Sequence, residues 1–349
     1  MGSEGLRRSN LPHSATKRLL RCARNDEYNI QSNMAETIAN AWPLQKAKTM
    51  ANNSPWQKPP RVRVVTDSVS DMPVDLAASL GITVIPCNVQ FGQEVFLDGI
   101  NLSREEFYAR LVGGPVLPTT SAPAVGIFED TYRRLAAEAE GAGAPLEGIV
   151  TIHAAANLSA IYNSARLGAE AAAPAVRVVA VDSQQVSMSI GWLCVVAARL
   201  AAAGHSLAEI VAQVQALVPR ARLMAFLDTL QFVQRSGRIG KAQFLLGMLL
   251  SIKPLLEVRG GELLPLGTVR TRSRAIERLV ELGASLAPYE ELAVMHARAP
   301  EVAQQVADML AAWHPRERIV IGEIGVVLGT HTGPGAVGIG GLQAARPEK

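Results

Sequence analysis

"RVRVVTDSVSDMPVDLAASLGITVIP", residues 61–86, decides how this chain is read. Its first eight residues, with β-branched Val62, Val64, Val65 and Thr66, read as a buried-strand run. "DMPVDLAASL" then places Pro73 at a helix start, with Asp71 behind it as a candidate N-cap. A second strand follows in "ITVIPCNVQF" (82–91). A strand, a helix and a strand in so short a span make a βαβ unit, which implies a wound, mainly parallel sheet with right-handed connections.

The alternation continues downstream. "SREEFYARL" opens with a Ser103/Glu106 capping box. After "LPTTSAPA" a long helix runs to about Glu140. Strand "GIVTIH", helix "NLSAIYNSARLGAEAAA", strand "VRVVAVDS" and two helices over 184–218 complete the first half. The second half opens near Arg220 with strand "RLMAFLD", short helices around "LQFVQRSGRIGKAQFLLGMLL" and a hairpin, "PLLEVRGGELLPLG", that turns near Gly260 and Gly261. Helix "SRAIERLVELGASL", strand "ELAVMHA", helix "EVAQQVADMLAAW" and strand "RIVIGEIGVVLG" follow. The expected class is α/β in two α/β domains: 61–219 with the wound sheet, and a smaller 220–343 with the hairpin. The cleft or tunnel between them is the expected ligand site.

The totals agree with this reading. A chain of 349 residues, 48% hydrophobic and 5% aromatic, has room for about two domains with aliphatic cores. The net charge of +3 is uneven. Residues 1–60 hold nine Lys/Arg against four Asp/Glu, leaving 25 against 27 and a net of −2 for the rest. A basic partner-binding body is thereby disfavoured, and no nucleic-acid partner is expected. Cys22, Cys87 and Cys194 form no CxxC pair, so neither a disulfide framework nor a zinc site is expected, and a reducing, cytoplasmic setting is. "FLLGMLL" (244–250) falls short of the ~20 apolar residues of a membrane span. Residues 1–60, rich in Asn, Ser and Pro, read as an extension outside the fold: a transit peptide, a disordered tail, or sequence ahead of a true start at Met50.

In wound sheets ligands sit beyond the carboxyl ends of strands. Three such places carry hydroxyls or carboxylates: Asp67-Ser68, Thr119-Thr120-Ser121 and Asp182-Ser183. Each serves equally well as helix capping. The adjacent hydroxyls of Thr120 and Ser121 stand out, since one can cap while the other faces outward. "LGTHTGPGAVG" (328–338) places His331 in a loop ahead of Gly333-Pro334-Gly335, where a backbone turn brings the chain close to whatever the imidazole faces. His153 at a strand end is a weaker candidate. "QRSGRIGK" (234–241) lacks the spacing of a phosphate loop. Arg238, Arg270 and Arg272 are either a cationic patch able to hold phosphate or a solvated basic face.

Taken in order, "VTDSVSDMP", "IPCNVQF" with "LDGINLS", "PTTSAPA", "LSAIYNSA", "VDSQQVSMSIGW", "LDTLQFVQRSGRIG", "LLSIKPLL", "VRTRSRAIERL" and "THTGPGAVG" resemble the DegV family of bacterial fatty-acid-binding proteins, which includes the FakB subunits of fatty acid kinases. The match runs from about Arg61 to Gly341. The resemblance implies a two-domain α/β protein that buries one acyl chain in a tunnel and holds its carboxylate near Thr120, Ser121 and His331. It also implies that Arg238 and Arg270 face a kinase partner or the phosphoryl group. One departure stands out. Where the family reads S-S-x-L-S-G-T, this chain has Ala155-Ala156-Asn157-Leu158-Ser159-Ala160-Ile161. Ala156 removes a hydroxyl that commonly donates to the carboxylate, so Asn157 or a backbone amide is expected to replace it, or the head group differs. Ala124, in place of a serine, is a milder change.

Two functions are weighed. The first is a non-catalytic carrier that takes a long-chain fatty acid from a membrane surface and presents its carboxylate to a separate kinase subunit for acyl-phosphate formation, with no cofactor or metal of its own. The second is a lipid-ester hydrolase, with Ser121 or Ser68 as nucleophile, His331 as base and Asp67 or Asp182 orienting it. The absence of a G-x-S-x-G elbow counts against the second.

Overall fold

The computed structural model describes residues 60–247 and 252–345. The expectations for the extension, Cys22, Met50 and the last three residues of "FLLGMLL" lie outside the described residues. In chain order, β1 (Val62–Asp67), α1 (Val74–Ser79) and β2 (Thr83–Ile85) form the opening unit. β3 (Asn88–Phe91), β4 (Glu94–Leu97), α2 (Arg104–Gly113) and β5 (Thr119–Ser121) come next. After them run α3 (Val125–Gly141), β6 (Gly148–His153), α4 (Ile161–Ala172), β7 (Val178–Asp182), α5 (Met188–Ala202) and α6 (Leu207–Leu217). The second half contains β8 (Ala221–Phe226), α7 (Gln231–Arg235), β9 (Lys253–Arg259), β10 (Glu262–Val269) and α8 (Arg272–Ser285). It ends with β11 (Tyr289–His296), α9 (Pro300–Leu310), β12 (Ile319–Glu323), α10 (Val326–Thr332) and β13 (Val337–Gln343).

The fold is α/β, as expected. The first half is built on an all-parallel sheet in the order β2-β1-β6-β7. Its central strands lack polar alternation because helices cover both faces, and all six residues of β6 are buried. The second half is built on a six-stranded mixed sheet in the order β10-β9-β8-β13-β11-β12, in which only β11 and β12 are parallel. One face of that sheet packs under α8 and α9 around Leu279, Leu292, Val306 and Leu310. Its other face joins the apolar core of the first half.

Several local expectations are corrected. "ITVIPCNVQF" is two strands, because Pro86 breaks the run. β2 stays in the parallel sheet, and β3 starts a separate antiparallel sheet, β4-β3-β5, that sequence reading did not foresee. Thr119–Ser121 is an edge strand of that sheet rather than a cap, and α3 begins behind Ala124 with no side-chain cap. Ser103 caps α2, but Glu106 turns to Arg110 and does not close the box. Asp71 does not cap α1, whose N-cap is Pro73. It reaches instead to Gly325, 254 residues away. His331 lies on the last turn of α10, not in a loop.

α5 joins the two halves. An ordinary surface helix buries one stripe, whereas α5 buries residues around its whole circumference, among them Met188, Ile190, Trp192, Leu193, Cys194 and Val195. It touches β1 and β6 on one side and β8 and β13 on the other. Trp192 donates its indole N–H to the Gly340 carbonyl at 3.0 Å, which anchors the helix to the second sheet. No helix among the described residues is long and apolar enough to cross a membrane.

Trp192 is 2% exposed. Trp192→Ala should therefore lower the unfolding free energy by about 3–5 kcal/mol, seen as a lower urea midpoint at unchanged slope. Trp192→Phe should cost less, since it removes the hydrogen bond but keeps most of the buried ring.

Candidate functional site

A cavity of about 350 Å³ lies between the sheets. Its walls come from both halves: Val69, Ala154, Leu158, Ile161 and Val186 from the first, and Leu223, Ala225, Leu227, Leu256, Val258 and Leu263 from the second. The second set follows from strand geometry. Leu223 faces Val258 and Ala225 faces Leu256 across the β8–β9 ladder, and cross-strand partners share a face. That face of the sheet is thus an aliphatic wall.

Thr120, Ser121 and His331 face this apolar space, and Arg238 stands at its rim. β5 supplies the two hydroxyls. The Thr120 hydroxyl lies 3.2 Å from His331 Nε2. Asn88 Nδ2 donates to Ser121 Oγ at 3.3 Å, which leaves the Ser121 proton free to donate elsewhere. α10 supplies His331 at its carboxyl end, and the turn after it is tight. Gly333 holds φ 69°, and a Cβ there would lie 2.2 Å from the Phe232 ring. A side chain at 333 is excluded on both counts.

His331 is largely out of water, and its Nδ1 is buried without a hydrogen-bond partner among the described residues. Burial, and then the positive charge of Arg238, push its pKa down to about 4. The imidazole is therefore neutral at neutral pH, with one nitrogen engaged by Thr120 and the other enclosed.

The other sequence candidates fall elsewhere. Asn157 and Ala156 are exposed and do not line the cavity. The Ala156 N–H is held by Asp182, and Asn157 lies beside the hairpin turn at Gly261. In that departed segment, Leu158, Ser159, Ala160 and Ile161 are the residues that reach the cavity, and Ser159 Oγ accepts the Ile161 N–H at the start of α4. Ser68 accepts the Cys87 N–H and does not line the cavity. Arg238 is exposed on the cavity rim, and Arg270 is exposed away from the lining. Arg272 is bound by Asp228 and stacked over Phe226, so it is not a third free cation.

The hydrolase geometry does not form. Asp67 is committed to His153, with Oδ2 2.8 Å from Nδ1, inside a fully buried network that continues through Thr151 to Tyr132. Asp182 caps the backbone of Ala156 and Gln184. Neither carboxylate orients His331. Sequence reading missed Asn88 and Cys87 of the site, because neither has a neighbour in sequence that marks it. Both are brought to the cavity region by the edge sheet, which was itself unforeseen.

The sequence profile of the family described as "Uncharacterised protein, DegV family" matches residues 61–343. A DegV domain-containing protein of Streptomyces coelicolor is 37% identical over 287 residues, covering 80% of this chain and 97% of the relative. Two solved structures superpose with a TM-score of 0.72. One, a DegV family protein from Thermus thermophilus described for its fatty acid binding, is 30% identical and covers 81% of this chain and all of its own. The other, DegV from Bacillus subtilis, described as a fatty acid binding protein, is 29% identical and covers 82% of this chain and all of its own.

The site makes its own test in ligand-free protein. Imidazole NMR should place the His331 midpoint near 4, and Arg238→Ala should raise it by removing a like charge. The folded value lies below the ordinary 6.5. His331 therefore contributes stability that is present above pH 6.5 and lost as pH falls through about 4.

Proposed function

This chain belongs to the DegV family, and from that premise we propose that it binds one long-chain fatty acid, burying the acyl chain in the cavity between its sheets and holding the carboxylate at Thr120, Ser121, Arg238 and His331. The observation that carries the reading is the make-up of the cavity: an aliphatic enclosure with its hydroxyls, imidazole and guanidinium gathered from β5, α10 and the segment after α7. A volume of about 350 Å³ is within the ~300–1,000 Å³ of small-molecule sites.

The chemistry divides between tail and head. Each buried methylene stabilises the complex by ~0.8 kcal/mol, so the chain sets affinity. A hydrogen bond to a charged head group contributes ~1.5–3 kcal/mol, so the polar cluster sets register. The carboxylate accepts the hydroxyl protons of Ser121 and Thr120. Thr120 Oγ1 in turn accepts the Nε2–H of His331, which fixes the hydroxyl's direction. Asn88, donating to Ser121 Oγ, does the same for the second hydroxyl. With these groups in place, the head group does not need a hydroxyl at 156. Asn157, exposed and away from the lining, is not required either.

In this reading the protein is a carrier and not a catalyst. A separate kinase subunit supplies ATP and phosphorylates the presented carboxylate, and Arg238 and Arg270 neutralise charge on the acyl phosphate or meet the kinase. Loading takes place in transient contact with a membrane surface.

Native mass spectrometry of the purified protein, followed by denaturation and identification of what is released, should give close to one fatty acid per chain. Protein that is empty and takes up neither oleate nor palmitate would refute the reading. Ser121→Ala and Thr120→Val should each weaken oleate binding roughly ten- to hundredfold, the loss of one hydrogen bond to a charged group. Chromogenic lipid esters should remain intact.

A further inference from the structure

The helix that presents His331 is held at its other end by groups the ligand reading leaves unused. The N-cap of α10 is Gly325, a residue with no side chain to cap it, and the first amides of a helix need acceptors. Asp71 supplies one from the first half of the chain. Its Oδ1 accepts the Gly325 N–H at 2.8 Å, and its Oδ2 lies 2.6 Å from Ser187 Oγ. Asp98 faces the Val326 and Val327 amides and the Ser68 hydroxyl, with its Oδ2 buried and making no hydrogen bond of normal geometry. The two carboxylates converge on one point: a Cβ on Gly325 would lie 3.1 Å from Asp71 Oδ1 and 3.2 Å from Asp98 Oδ2. Asp71 and Ser187 also both hold positive φ, 50° and 57°. Residues with side chains keep such backbone only where the surroundings impose it.

We propose that Asp71 and Asp98 are positioning residues for ligand binding: by fixing the amino end of α10 they set where His331, at its carboxyl end, stands against Thr120. The proposal rests on the reading of Thr120, Ser121 and His331 as the head-group site. It makes binding depend on the protonation of a group that does not touch the ligand. Burial pushes the Asp71 carboxyl up to about 7, against the Ser187 and Gly325 hydrogen bonds and the charge of Arg104, with Asp98 adding to the rise. Burial raises Asp98 as well.

The titratable and charged groups against the pair are Arg104 and Tyr108 of α2 and Cys87, with Glu323 of β12 and His296 one step further out, beside Tyr108 and Arg104. Burial drives the phenol and the thiol up, so both stay protonated through neutrality, and it drives the imidazole of His296 down. In the structure Ser187 Oγ donates to Asp71 Oδ2 and the Gly325 amide to Oδ1; on protonation the first bond turns round and Oδ2 donates to Ser187. Without that proton, two carboxylates crowd one helix end. Since the folded value lies above the ordinary 3.8, the arrangement is fully stable below 3.8 and loses stability as pH rises through about 7. Anion affinity should fall where the native carboxyl itself ionises, as pH rises through about 7.

The test uses the full chain and two readouts. One is the His331 ring signals of ligand-free protein between about pH 6 and pH 8. The other is affinity for dodecyl sulfonate, whose head group stays anionic throughout. In wild type the ring signals should shift with a midpoint near that of Asp71, and affinity should fall on the order of five- to tenfold. Asp71→Asn, which keeps an acceptor for Gly325 and a donor for Ser187, should bind as wild type does at the acid end and lose both pH responses. Asp71→Ala should bind more weakly throughout. If it does not fold, Asp98→Asn should shift the wild-type midpoint down by removing a like charge. A pH profile in Asp71→Asn that matches wild type, or His331 signals blind to the interval, overturns the proposal. If the ring signals respond while the sulfonate fails to bind at any pH, the positioning role stands and the fatty-acid reading fails.

Discussion

The structure depends on the desolvation of one helix. From Met188 to Ala198 α5 is buried around nearly its whole circumference, with Arg199 the exposed residue of its last turn, and such a helix is stable only when that stretch is covered on every side. The parallel sheet covers one side and the mixed sheet the other. Each sheet therefore completes the burial of an element that the other cannot cover alone. The aliphatic walls of the cavity belong to the same continuous core. The cavity is a place where the packing between the two sheets is left unfilled. It does not interrupt a wall that would otherwise be closed.

How much of this was legible in the sequence depended on the range of the forces involved. The βαβ opening, the parallel sheet, the hairpin and most helices are written in local periodicity, and they are found where periodicity put them. Errors came where a distant partner decided the outcome. Asp71 has the identity and position of a cap for α1, yet its carboxylate is taken by Ser187 and Gly325. By composition "VVLGTHT" reads as the end of a strand and a glycine-rich loop. Its short helix is held in place by α2, α7 and carboxylates brought from the other half of the chain. Pro86 was enough to divide a strand, but the sheet that the released segment joined could not be inferred from composition.

The site was legible in part for the same reason. Thr120 and His331 stand 211 residues apart in sequence and 3.2 Å apart in space, and only the family motifs link them before the structure does. The Ala156 substitution looked consequential because a motif was broken. Its position at the surface, with its amide held by Asp182, gives it little to do with the cavity. Buried Asp67 and His153 show the opposite case. They make a better acid–imidazole pair than any at the cavity, but they are sealed in the core, where the pair serves the backbone of Val69 and Ala154.

The order of strands in the mixed sheet bears on how the protein is made. β13 lies between β8 and β11, antiparallel to both, although it follows every other strand of that sheet in the chain. On a ribosome, β8, β9 and β10 can pair early, and β11 can find β12, but the two groups have no common edge until 337–343 has emerged. The cavity wall carried by β8 and β9 acquires its permanent neighbour only then. Such late, long-range closure is slow and leaves strand edges open in the meantime. The nascent chain is thus exposed to aggregation during that interval, and the cavity wall is complete only once synthesis has passed β13.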